Sequence, residues 1–205
     1  MIGGRCRETG GGVQLRTYDV PALLISALLM LLSTFTTAGC DEGRLREHPF
    51  VGHEKRAVDG DLEAQEFVGL AYLNGDGASQ SFTKAREWFK SCGEQGRARC
   101  QFELANLHEK GLGGPISSSK AGKYYRSSAL GGEPRAMLRL GQFHRRGQGV
   151  PKDLVRACAW FHLAAETGYK PAKDILAAFN SSVADSVLNR GTVLAEKWRK
   201  GAPEF

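Results

Sequence analysis

The sequence predicts an all-α chain, a short solenoid of about three 36-residue helix-pair repeats with capping helices at its ends. Two observations predict it. Sliding the chain against itself by 36 residues superposes glycine, alanine and aromatic columns without a gap. Between those columns, apolar residues recur at helical rather than strand spacing. Composition agrees, because 41% of the 205 residues are hydrophobic, enough for a packed core. The net charge of +6 is interspersed rather than blocked, which argues against a nucleic-acid partner, whose binder would gather its bases on one face among aromatics.

The first element is set apart by composition. Arg5, Arg7 and Arg16 precede an apolar run of 13 residues, Val20 to Leu32, and then small residues to Ala38. This pattern predicts a secretory signal over residues 1–39. Extending the run to Ala38 gives 19 residues, close to the roughly 20 of a membrane span, so an uncleaved anchor is the alternative. Ala38-Gly39-Cys40 resembles the end of a bacterial lipobox, although Thr37 stands where Leu is usual. That resemblance implies Cys40 as a lipid attachment site, and Asp41 after it resembles the pattern that retains lipoproteins at the inner membrane. The expected location is the periplasmic side of a bacterial envelope; a soluble secreted protein is the other reading. Residues 40–56 are expected to form a linker and N-terminal cap.

Residues 57–168 carry the repeats. Gly60, Gly96, Gly132 and Gly168 share one column, Gly75, Gly111 and Gly147 another, and Gly77, Gly113 and Gly149 a third. Ala64, Val68 and Ala71 mark one stripe of a first helix, A, which the Gly-x-Gly pair ends. Tiny residues at Gly69, Ala105 and Gly141 let a second helix approach. Ser81, Ser117 and Asp153 then share a column suited to N-capping. Helix B follows with Ala85, Trp88, Phe89 and Cys92 at helical spacing, and its alanine column is preceded each time by a base, Lys84, Lys120 or Arg156. A lone helix pair cannot bury both its faces, so the units must stack. Residues 169–205 are expected to close the stack with a fourth A helix and a final helix, opened by Ser182 and Asp185 as a capping box.

The run Leu140-Gly141, Gly147-Gln148-Gly149-Val150, Arg156-Ala157, Trp160-Phe161, Ala164-Ala165 and Gly168 resembles the Sel-1-like repeat, a relative of the tetratricopeptide repeat. The resemblance extends from residue 57 to about 200. It implies a right-handed α/α solenoid that binds a protein or peptide on the concave face lined by its A helices, with no cofactor and no catalysis. In that register the partner-binding residues are Glu66, Leu70, Arg99, Phe102, Asn106, Arg135, Leu138, Gln142 and Arg146, a face grading from acidic and apolar to basic. Leu70, Phe102 and Leu138 are expected there as open apolar anchors without a core duty.

Cys92 and Cys100 flank the turn at Gly96, where antiparallel helices would set them face to face at disulfide spacing. They either bridge or pack as small core residues, as Ala164 and Ala136 do in the same columns. The eight-residue spacing resembles that of the Helicobacter cysteine-rich proteins of the same repeat family, which implies the bridge. It also supplies a competing function, peptidoglycan or β-lactam binding. Cys158 is expected to be a buried thiol. His108 and His144 share the column of Tyr72 and are expected to pack rather than hold a metal.

Overall fold

Asp61, Ser81, Ser117 and Asp153 each turn an extended backbone into a helix by accepting hydrogen bonds from amides of its first turn. The computed structural model describes residues 49–201, and among these it contains nine helices and no strand. A leading helix, α1 (Pro49–Val58), precedes three helix pairs. They are α2 (Leu62–Asn74) with α3 (Phe82–Glu94), α4 (Ala98–Lys110) with α5 (Ser118–Leu130), and α6 (Pro134–Arg146) with α7 (Leu154–Glu166). Two helices follow, α8 (Lys170–Asn180) and α9 (Asp185–Lys200). The helices α2, α4 and α6 are the A helices, and α3, α5 and α7 are the B helices. The lipid-attachment reading at Cys40 lies outside the described residues. No helix among those described is long and apolar enough to cross a membrane.

Each A helix ends on a left-handed glycine, Gly75, Gly111 or Gly147, with φ of 85°, 70° and 71°. The second glycine of the pair joins repeats. Gly113 and Gly149 also have positive φ, and a Cβ on them would run into the Phe82 and Ser118 carbonyls at the start of the preceding B helix. The loop closes with one bond repeated in every unit: the amides of Ser81, Ser117 and Asp153 donate to the carbonyls of Tyr72, His108 and His144, at 2.8–2.9 Å.

Inside each pair the tiny column lets the aromatic ring of helix B reach the A backbone. A Cβ on Gly69 would lie 2.6 Å from the Phe89 ring. Phe89, Tyr125, Trp160 and Phe161 are fully buried, as are Leu104 and Leu140 on the A helices. Cys92 and Cys100 form a disulfide between α3 and α4, with a Cα–Cα distance of 5.9 Å. Ser128 occupies the Cys92 column one repeat later, where its hydroxyl donates to the Ala98 carbonyl at 2.6 Å.

The end differs from the expected capping box. Ala184 holds the N-cap of α9 and offers no side-chain bond, while the Ser182 hydroxyl donates to the Phe179 carbonyl and finishes α8 instead. Both α8 and α9 pack on α7. Gly191 of α9 lies against Cys158, a buried free cysteine whose thiol burial pushes up in pKa.

Candidate functional site

The residues proposed for the A-helix face form a chain of contacts that crosses the repeat junctions. Glu66, on α2, is buried and accepts from Arg97 Nε at 2.8 Å and Arg99 Nε at 2.9 Å. One repeat on, Glu103 of α4 pairs with Arg135 Nη1 at 3.3 Å, and Arg135 also meets Glu133 at 2.8 Å. Glu109 pairs with Arg139 at 3.4 Å and accepts from the Tyr125 hydroxyl at 2.6 Å. Burial and the neighbouring Glu109 raise the pKa of that phenol, so it remains a donor. Asn106 lies 2.7 Å from the same hydroxyl and donates to Glu103 at 3.1 Å. Gln142 accepts from Arg139 at 3.2 Å.

The apolar members need a correction. Phe102 and Leu138 are each only 7% exposed and belong to the core, and half-buried Leu70 packs against it. The Arg135 guanidinium lies 4.3 Å above the Phe102 ring and covers it. Stacking the next repeat brings that cover, which the single-helix pattern does not reveal. What stays open on this row is its basic end, where Arg145 and Arg146 are exposed and form no ion pair among the described residues.

The column of Tyr72, His108 and His144 has a packing duty in each repeat. Tyr72 meets Phe50 edge-on at 5.4 Å, with Lys84 4.9 Å above its ring. His108 stacks on Tyr124 at 5.5 Å and accepts from Arg86, and His144 Nδ1 lies 3.1 Å from the Pro151 carbonyl. Burial first, then the charges of Arg86 and Lys120, hold the His108 pKa down to about 4. Burial also lowers that of His144. The base column noted in the sequence thus sits beside the aromatic column in space. Among the described residues no group of three or more His, Cys, Asp or Glu could hold a metal.

Sequence reasoning missed a second surface along the B helices. Three cavities of about 550, 210 and 620 Å³ follow one another there. Their cationic lining includes Lys120 and Arg156, so the base column carried the signal, but its summed effect appears only when the B helices are side by side.

A family model, Sel1 repeat, matches residues 62–96, 98–133 and 134–169. Among solved structures, a Sel1 repeat protein from Oxalobacter formigenes is 32% identical, with a TM-score of 0.59 over 64% of this chain and 98% of that one. A protective antigen of uropathogenic Escherichia coli strains with an SLR fold is 26% identical, with a TM-score of 0.71; 80% of this chain spans 36% of the antigen. Helicobacter pylori cysteine-rich protein B is 21% identical, with a TM-score of 0.55 over 65% of this chain and 99% of that one, and shares the fold. No curated protein matches the chain.

Proposed function

Because the chain belongs to the Sel1 repeat family, whose members typically mediate protein–protein interaction and are generally not enzymes, we propose that it is an exported, lipid-anchored scaffold. Its A-helix face, concave in such solenoids, holds a protein partner on the periplasmic side of the envelope. The observation that carries this reading is the repeat itself: three units stack so that their A helices present one row of charged side chains, bonded across both junctions. Export is supported by the basic and apolar leader before Ala38-Gly39-Cys40. The Cys92–Cys100 bridge supports it too, since disulfides persist in oxidising compartments. Contact with the partner falls to the open basic end at Arg145 and Arg146, which suits an acidic surface.

Crosslinking in the native cell, followed by mass spectrometry, tests the reading. A reproducible protein partner is expected, lost or reduced in an Arg145→Glu, Arg146→Glu double variant. Recovery of no partner from the wild type would reject the scaffold. Fractionation of a Cys40→Ala variant tests the anchor; the chain should leave the membrane fraction, and unchanged membrane association would overturn lipid attachment at this cysteine.

A further inference from the structure

The B-helix side has a charge imbalance that the A-helix row lacks. The cavity between α3 and α5 is lined by Arg86, Lys90, Lys120 and Lys123, with Glu87 as its one carboxylate. Lys123 also lines the next cavity, between α5 and the third repeat's loop, together with Arg126 and Arg156. Arg156 in turn lines the third, between α7 and α9, where Arg190 and Lys197 join it and Asp153 is the carboxylate. Shared lining residues make the three a continuous groove. Asp153 is engaged as the N-cap of α7 and by Arg156 at 3.5 Å. His108 and His144, both kept neutral, form its inner wall.

The groove is shaped by a volume exchange between repeats. Arg86 on α3 fits because position 114, above it, is a glycine; a Cβ there would collide with its guanidinium. One repeat later the equivalent B-helix position is Gly122, and the equivalent loop position is Val150, whose methyl lies 3.0 Å from where a Cβ would stand. The first junction therefore keeps a cation, held by His108, where the second has an aliphatic plug. The far cavity differs again. Val155, Leu194 and Trp198 line it, and Val193, 66% exposed, forms its rim.

We propose that this groove is a second binding surface, which takes an acidic polypeptide segment carrying a large apolar side chain at the end that reaches α9. Cations that line concave pockets suit a chain that enters them better than a flat anionic surface. The apolar pocket at one end supplies an anchor of the kind that dominates peptide recognition. The inference stands apart from the A-helix row, whose residues line none of these three cavities.

Fluorescence anisotropy with a labelled glutamate-rich peptide ending in Phe tests it on the purified full chain. The peptide should bind, weaken with added NaCl, and lose at least about tenfold in affinity in a Lys123→Glu, Arg190→Glu variant. Both side chains are exposed, so folding is preserved. Val193→Asp should weaken the Phe-ended peptide and leave a glutamate peptide without Phe unchanged. Arg145→Glu should leave both unchanged. Equal affinity in wild type and the Lys123, Arg190 variant would overturn the proposal. So would capture of anionic vesicles or an oligonucleotide in preference to the peptide. If native partners still crosslink to that variant while it loses the peptide, both surfaces stand and serve different partners.

Discussion

Along the A helices, Glu66, Glu103 and Glu109 each meet an arginine of the next repeat. Along the B helices, Lys120, Lys123 and Arg156 line successive cavities whose carboxylates are Glu87 at the first and Asp153 at the last. Both surfaces come from one 36-residue period. A column's own residue type does not decide whether its charge is satisfied. That depends on the column it faces in the adjacent repeat: across each A-helix junction a glutamate meets an arginine, while the B-helix column of Lys84, Lys120 and Arg156 keeps one sign.

The largest effect should come from breaking the junction beneath both surfaces. Gly149 combines φ of 69° with a backbone contact to Ser118, so Gly149→Val should cost roughly 3 kcal/mol or more in urea unfolding. An unchanged midpoint would show that the loop does not carry the stacking. The disulfide ties the first two repeats alone, closing a loop between residues eight apart. Its replacement by alanines should cost about 2–3 kcal/mol on the chain-entropy account, and equal stability with and without reductant would contradict that.

A smaller effect separates the inner walls. His108 and His144 are neutral when folded because their pKa values lie below the ordinary 6.5. The unfolded chain binds these protons first, so their contribution is present above pH 6.5 and is lost as pH falls, for His108 towards about 4. His108→Gln should flatten the unfolding free energy across that window. A slope identical to the wild type would remove His108 from the account.

Much of the fold was legible in the sequence because glycines at fixed spacing mark turns whatever surrounds them; Gly75, Gly111 and Gly147 all cap helices. The N-caps at Ser81, Ser117 and Asp153 were legible for the same local reason. The site was less so. Glu66 reads as an open partner-binding carboxylate until Arg97 and Arg99 arrive from the next repeat. Phe102 reads as an open anchor until Arg135 covers it. Ser182 fits a capping pattern, but its hydroxyl is spent on the preceding helix. Glu66 and Phe102 were decided by neighbours a repeat away, which a helical period cannot report, and Ser182 by a local choice between the helix it follows and the helix it precedes.

The most direct test of a closed A row beside an open B groove is charge reversal on each, compared by urea unfolding at low salt. Arg135→Glu would set a third carboxylate beside Glu103 and Glu133 and should lower stability by about 2 kcal/mol. Lys123→Glu, among cations, should leave it within about 0.5 kcal/mol or raise it. Equal losses from the two reversals would contradict the account.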